Sequence, residues 1–452
     1  MITDTIIAQC TPSGSGAIAL LRISGKDARI VVNQCVELSS QKKLIGVSSH
    51  TIHHGWVIDE NNKHLDEVLF FVMNGPKTFT GQNVVEITTH NNPFIIESVI
   101  KRIIACGARL AQRGEFSRQA VESGKIDLVQ AEAINELIHA NSQQLLQQSL
   151  EQLEGSFSHW IAEIEAWLLK ITALCEASFE FVDEDIDFSQ PMRKSLQKIL
   201  DYIAQAKQSF DQQQQLRQGV RIALVGSVNA GKSSLFNALI GKERAIVTNI
   251  AGTTRDVIEA GLYKNGVYWT LIDTAGLRQA DNVVELEGIK RSHKEAKTAD
   301  IILLVVDSAH DMTQQEIAVY QEILNKYQEK IIVITNKSDL SQKENPFKKG
   351  SLSLSTKNNN GIQELKALLE KSIQKLFQEN SSPFLLNKRH FSLLLGVEQK
   401  LLITKAMLSG PIEYELIALH LKDALEALSE LSGKTISEKT LDIVFNEFCI
   451  GK

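Results

Sequence analysis

The apolar residues of this chain change their period twice, and each change marks a domain. GAIALLRI, TIHHGWVI, EVLFFVM and NVVEITT are short runs rich in β-branched and aromatic residues, separated by turns, and each predicts a strand. PFIIESVIKRIIACG places apolar residues three and four apart and predicts a helix among them. Gly14, Gly16, Gly25 and Gly81 punctuate the turns. Residues 1–120 therefore predict an α+β domain.

From Leu128 the period becomes helical. Leu146, Leu150, Leu153, Phe157, Trp160, Ile164 and Leu168 predict one face of a single long helix in a bundle core. The next helical stretch, MRKSLQKILDYIAQAKQSFDQQQQLRQG, ends in a glutamine run that reads as a solvated helix end or linker. From Val220, strands alternate with helices. RIALVG, WTLID, DIILLVVD and KIIVITN are apolar enough for strands buried on both faces of a parallel sheet. Beyond Glu379 the helical period returns in HFSLLLGVEQKLLITKAML, ELIALHLKDALEALSEL and SEKTLDIVFNEF. The simplest arrangement is an α/β domain, residues 216–378, inserted into a helical domain split between 121–215 and 379–452. Insertion requires only that the guest's two ends lie close together.

With 452 residues, 43% of them hydrophobic and 23% charged, the chain is a multidomain globular protein. A net charge of -6 excludes a generally basic nucleic-acid coat and leaves room for a local basic patch. No apolar run reaches the ~18 residues of a membrane span. The opening MITDTIIAQCTPSGSG has no basic n-region before an apolar core, so no secretory signal is expected. Five scattered cysteines (10, 35, 106, 175 and 449) without a CxxC spacing suggest reduced thiols in a cytoplasmic protein.

Candidate chemistry gathers in the α/β region. Gly226-Ser-Val-Asn229-Ala230-Gly231-Lys232-Ser233-Ser234 follows a strand and opens a helix. This is the context of a phosphate-binding loop, in which backbone N–H groups and the helix N-terminus face the phosphates. Lys232 then reaches the β- and γ-phosphates, and the Ser233 hydroxyl ligates Mg²⁺. Asp273-Thr274-Ala275-Gly276 ends the strand WTLID, where a carboxylate can hold the Mg²⁺ water shell and the Gly276 N–H can meet the γ-phosphate. Asn336-Lys337-Ser338-Asp339 ends KIIVIT. Asp339 can accept the N1–H and N2 amino donors of guanine, which adenine lacks, so GTP is favoured over ATP. Ser355-Thr356-Lys357 is a second base-contacting loop candidate. In Gly252-Thr253-Thr254-Arg-Asp256, Thr254 is the candidate switch threonine and a second Mg²⁺ ligand. Leu277 occupies the place of the glutamine that orients water in Ras-like enzymes. On the residues alone, Glu285 and Glu287 are equal alternatives for that task.

These motifs in this order, with TPSGSGAIALLRISG, TFTGQNVVEITTH, RGEFSRQAVESGKIDLVQAEAI and a terminal FCIGK, resemble the TrmE branch of the TrmE–Era-like GTPases along the whole chain. The resemblance implies a Ras-like P-loop domain inserted in a helical domain, behind an N-terminal domain that binds folate and dimerises. It implies a K⁺ ion in place of an arginine finger, held by Asn229 and by Thr248, Ile250 and Thr253 in Ala245–Thr254. Asn249 and Ala251 of that loop lie against the nucleotide. It selects Glu285 as the residue that positions the attacking water, beside Asn229, Lys232 and Thr254. It implies nucleotide domains that pair across a homodimer. It also implies 5-formyltetrahydrofolate bound by Arg22, Glu86, Lys125 and Lys452, and an FAD- and NADH-using partner. With that partner it would modify the wobble uridine of tRNA. Three positions depart from the family pattern near the folate residues: His90-Asn91-Asn92, the loop GSGA and Gln82. Cys449 reads as a packing residue. Two alternatives are a ribosome-assembly RNA-binding switch of the Era-like group and a septin-like polymerising scaffold. The residues from Asn387 to His390 read as an exposed basic helix start.

Overall fold

The computed structural model describes residues 4–180, 188–208, 210, 219–227, 229–240, 258–264, 267–273, 296–340, 346–347, 350–378, 384–409 and 412–452. Two compact units result: Met1–Ile138 with Ser149–Ile203 and Lys388–Lys452, and His139–Gln148 with Ala204–Asn387.

The first unit begins with a seven-stranded sheet ordered β3-β4-β5-β6-β2-β1-β7. Its strands are β1 (Ile6–Gln9), β2 (Ile18–Ser24), β3 (Val36–Leu38), β4 (Thr51–Ile58), β5 (His64–Met73), β6 (Val84–His90) and β7 (Arg109–Leu110). Only the β1–β7 pairing is parallel. Helices α1 (Ala28–Asn33), α2 (Pro93–Ala105) and α3 (Glu115–Glu122) complete the domain. Burial alternates along β5, with Asp66, Val68, Phe70 and Val72 inward, as a sheet packed on one face requires. Ile23, Phe70, Val85 and Ile87 meet Val99 and Ile103 of α2 in one core. Asn92 caps α2 by accepting the Phe94 N–H at 2.9 Å, and Pro93 takes the first helical position. Gly25 is required where it stands: its φ is +150° and a Cβ would lie 2.7 Å from Thr5 Cα.

The helical region continues with α4 (Leu128–His139), α5 (Gln143–Leu153), α6 (Ser156–Glu180) and α7 (Ser189–Lys207). The single long helix expected from Leu146 to Leu168 is two helices. Gly155, at φ +102°, ends α5 by donating to the Gln152 carbonyl, and its own carbonyl accepts the His159 N–H of α6. Gln130 Nε2 satisfies the Leu153 carbonyl at 2.8 Å. The apolar spacing runs through this break although the helix axis does not. Leu146 and Leu150 are accordingly exposed, while Phe157, Trp160, Ile164 and Leu168 are buried with Ile171 and Cys175. The glutamine run at 212–215 lies outside the described residues.

The second unit is built on a six-stranded sheet ordered β13-β12-β11-β8-β10-β9. Its strands are β8 (Val220–Val225), β9 (Ile258–Lys264), β10 (Val267–Asp273), β11 (Ile301–Asp307), β12 (Ile331–Asn336) and β13 (Leu352–Ser353). All pairings are parallel except β9–β10. Helices α8 (Lys232–Ile240), α9 (Gln314–Lys326) and α10 (Ile362–Gln378) belong to it. The first six residues of β11 are apolar because both faces are covered. Ile301, Leu303 and Val305 pack with residues of α8 and α10, and Ile302, Leu304 and Val306 pack with Tyr320 and Ile323 of α9. Strand β9 was not foreseen. Its signal was Asn265-Gly266 between IEAGLYK and VYWTLID, the commonest residue pair of a two-residue hairpin.

After this insertion the helical region resumes as α11 (Lys388–Met407), α12 (Tyr414–Ser432) and α13 (Glu438–Asn446). The basic helix start expected to be exposed is so only at Lys388: Asn387 and Arg389 are half-buried and His390 is buried. Arg389 donates to both oxygens of Glu132 in α4, at 2.9 and 2.6 Å, and His390 Nε2 lies 2.7 Å from Glu132 Oε2. Burial opposes ionisation of Glu132, but the charges and hydrogen bonds of His390 and Arg389 outweigh it and hold the carboxyl far below the usual range. Arg389 also donates to the Glu430 and Leu431 carbonyls near the end of α12. The two sequence-distant halves of the helical domain are thus joined by a buried ion pair.

Candidate nucleotide site

Gly226, Ser227, Asn229, Ala230 and Gly231 lie between the end of β8 and the start of α8, at the carboxyl end of a central parallel strand. In such sheets that edge is where ligands bind. Glycine is demanded twice. A Cβ on Gly226 would stand 2.3 Å from the Val305 carbonyl oxygen, and one on Gly231, at φ +92°, would stand 2.2 Å from Asn336 Nδ2. Asn229 adopts φ +64° and is exposed, while Ala230 is buried beside it. Lys232 is 6% exposed, and its Nζ donates to the Gly226 and Ser227 carbonyls at 2.8 and 2.7 Å. Its ammonium is therefore folded along the loop. Ser233 and Ser234 are exposed on the first turn of α8.

The base end is tied to the phosphate end through Asn336. This fully buried side chain donates from Nδ2 to the Ala230 carbonyl at 2.9 Å and accepts the Thr356 N–H at 3.3 Å. One amide thus joins the three loops that follow β8, β12 and β13. Lys337, at φ +63°, pairs with Asp307 Oδ2 at 2.6 Å. The Ser338 N–H donates to the Leu354 carbonyl. Ser355 Oγ donates to Asp339 Oδ1 at 2.6 Å, and that bond leads in holding the Asp339 carboxyl below its usual range. An ionised, exposed Asp339 presents only acceptors, the complement of the guanine N1–H and N2 donors. Lys357 is exposed at the same loop. Sequence reasoning missed Asp307 and Tyr320. Asp307 closes the apolar run of β11, and its place at a strand end was the available signal.

On the N-terminal sheet, Arg22 and Glu86 are register partners in β2 and β6, and Arg22 Nε donates to Glu86 Oε1 at 2.7 Å. The Arg22 guanidinium carbon lies 5.6 Å from the ring centres of both Phe79 and Phe116. The C-terminal tail returns to this face. Cys10 Sγ donates to the Gly451 carbonyl at 3.2 Å, and Arg113 bridges Ile450. Burial pushes the Cys10 thiol up, against the charges of Arg22 and Lys452, which places the Lys452 charge in the same neighbourhood. Lys125 is exposed, and its Cγ would lie 3.3 Å from a Cβ on Gly81. Cys449 is exposed, and its carbonyl accepts from the Gly114 N–H.

Two family profiles match the chain. One, described as the MnmE helical domain, covers residues 128–449, and the other, the GTP-binding protein TrmE N-terminus, covers residues 5–125. A protein named tRNA modification GTPase MnmE from Christiangramia forsetii is 35% identical over 473 residues, covering 100% of both chains. Its namesake from Chlamydia trachomatis serovar A is 39% identical over 457 residues, and that from Bacillus cytotoxicus 35% over 472, each covering 99% of both chains. The chain belongs to the MnmE family. It is a GTPase with an inserted P-loop domain, and the ribosome-assembly and polymerising-scaffold alternatives are set aside by matches that reach both ends.

Against this MnmE background the expected site residues divide into three groups. Asn229, Ala230, Gly231, Lys232, Ser233, Asn336, Lys337, Asp339, Ser355 and Thr356 surround one interconnected set of loops. Arg22 and Glu86 pair with each other in the second group, near Cys10, whose thiol bonds the Gly451 carbonyl and feels the Lys452 charge, while Lys125 is exposed beside Gly81. The third group spans Thr248 to Glu287 in sequence. Thr248 to Thr254, Thr274 to Gly276, Leu277, Glu285 and Glu287 lie outside the described residues, and of Asp273 only the backbone is described, paired with Leu224 and Ile258.

Proposed function

We propose that this MnmE-family GTPase is potassium-dependent. We further propose that it couples GTP hydrolysis to installing a carboxymethylaminomethyl-type group at C5 of the wobble uridine of tRNA. It acts in the cytoplasm as a homodimer, with 5-formyltetrahydrofolate as the one-carbon source and an FAD-dependent protein as partner. The observation that supports the nucleotide half is the Asn336 side chain, whose two hydrogen bonds join the phosphate loop to the base loop. Backbone N–H groups of the loop and Lys232 bind the β- and γ-phosphates, and Asp339 selects guanine. Glu285 orients the attacking water, the task for which Leu277 has no polar atom.

The residues present fit the ions. Ser233 is an exposed hydroxyl on the first turn of α8, and Asp273 closes the adjacent strand β10, so these two with Thr254 would hold Mg²⁺. Asn229 stands exposed at the loop with a left-handed backbone, suited to hold K⁺ together with Thr248, Ile250 and Thr253. Bound there, the cations would offset charge that develops on the transferring phosphoryl group.

The donor set on the N-terminal sheet fits a folate. Among the described residues, only one guanidinium nitrogen of Arg22 and one oxygen of Glu86 are engaged by protein. The remaining guanidinium donors and carboxylate oxygen can meet an anionic tail and a pterin N–H pair, with the half-buried Phe79 providing a flat apolar wall; Phe116 is fully buried and packs against Arg22 instead. The folate would supply the one-carbon unit, while Arg22, Glu86, Lys125 and Lys452 orient it. GTP turnover measured in KCl and in NaCl tests the ion. We expect a large excess in potassium, and equal rates would overturn that part. Calorimetric titration with 5-formyltetrahydrofolate tests the second site: wild type binds, and undiminished binding by Glu86→Ala would reject the assignment.

A further inference from the structure

We propose that Tyr320 is a positioning residue of the phosphate loop, fixing the peptide that aims Lys232 and so tying phosphate affinity to helix α9. Tyr320 is 5% exposed, and its ring packs edge-on against Phe347 with centroids 5.8 Å apart. Its hydroxyl accepts the Ser227 N–H at 2.6 Å. That N–H belongs to the Gly226–Ser227 peptide, whose carbonyl on the opposite edge accepts Lys232 Nζ at 2.8 Å. A trans peptide directs N–H and C=O to opposite sides of one rigid plane. The plane is therefore gripped twice, by the phenol on one edge and by the ammonium on the other. The next carbonyl, Ser227 O, takes a second Lys232 bond at 2.7 Å. Gly226 leaves little room for compensation, since its α-carbon faces the Val305 carbonyl closely enough to exclude any side chain.

A tyrosine that only filled space at this position would bury an unpaired hydroxyl, which is unfavourable. Here the hydroxyl is bonded, and its partner is loop backbone, not another core side chain. Burial raises the phenol above its usual range, with Ser227 opposing, so the group stays neutral throughout the working range of pH. Removing the hydroxyl leaves the N–H without this partner and lets the peptide plane rotate. The consequence falls on the residue that engages the β-phosphate, not on the base loop.

The test is Tyr320→Phe in the full chain, with GDP and GMP affinities measured by competition against a fluorescent guanine nucleotide. GDP binding is expected to weaken about tenfold, the scale of one unsatisfied buried donor. GMP lacks the β-phosphate and should change by less than about twofold on the same reasoning. Amide hydrogen exchange at Ser227 should accelerate, while the thermal midpoint reports that the fold is retained. Equal losses for GDP and GMP would show a general loosening and overturn the proposal. Unchanged GDP affinity or unchanged Ser227 exchange would overturn it as well.

Discussion

Replacing Glu132 by alanine should separate the two halves of the helical domain energetically. Glu132 is 7% exposed overall and accepts two bonds from Arg389 and one from His390. Its removal leaves a guanidinium whose side chain is 16% exposed and an imidazole 3% exposed without their anion. Breaking a buried pair by deleting one partner typically destabilises by about 3–5 kcal/mol. Arg389 keeps its bonds to the Glu430 and Leu431 carbonyls, so the lower end, ~3 kcal/mol, is expected. For a unit of this size that lowers the melting midpoint by roughly 6–12 °C. The assay is calorimetric melting with and without GDP. GDP raises the transition of the nucleotide domain and leaves the helical transition to be read. The pH dependence has a definite sign. A carboxyl depressed in the folded state contributes its stability above its ordinary pKa of 4.5 and loses it as pH falls toward the depressed value. The difference between wild type and Glu132→Ala should therefore be full at neutral pH and shrink on strong acidification. A Glu132→Ala helical transition within about 1 °C of wild type at neutral pH would refute the reasoning.

Other outcomes follow from the nucleotide site. Gly231→Ala should lose GDP binding by more than about tenfold in an equilibrium titration, because its methyl meets Asn336 Nδ2 at a backbone angle alanine avoids. Asp339→Asn should weaken GTP and strengthen a xanthine nucleotide in competition binding, since one acceptor becomes a donor. Full retention of guanine preference would remove Asp339 from base recognition. Glu285→Ala should keep nucleotide affinity and lose most of kcat, the mark of a group that acts in the transition state. An unchanged kcat would assign the water to another residue.

Local pattern made much of this molecule legible. The loop from Gly226 to Ser233 could be read because its chemistry is carried by neighbours in sequence, and the double-sided burial of β11 shows as an unbroken apolar run. What escaped depends on partners far along the chain. Arg389 and His390 look like a solvated basic cluster until Glu132, 257 and 258 residues away, is brought against them. The break at Gly155 was hidden because the leucine spacing continues through it. Tyr320 carries no sequence mark, since its role rests on a backbone N–H that any residue at 227 except proline would supply.

The most direct measurement is mass spectrometry of wobble nucleosides in tRNA from cells that lack this protein, complemented by wild type or by Lys232→Ala. Loss of the C5-modified uridine, restored by wild type and not by the lysine variant, is the expected result, because the modification then depends on phosphate binding at this site. A normal nucleoside profile in the deleted cells, or full restoration by Lys232→Ala, would contradict the account.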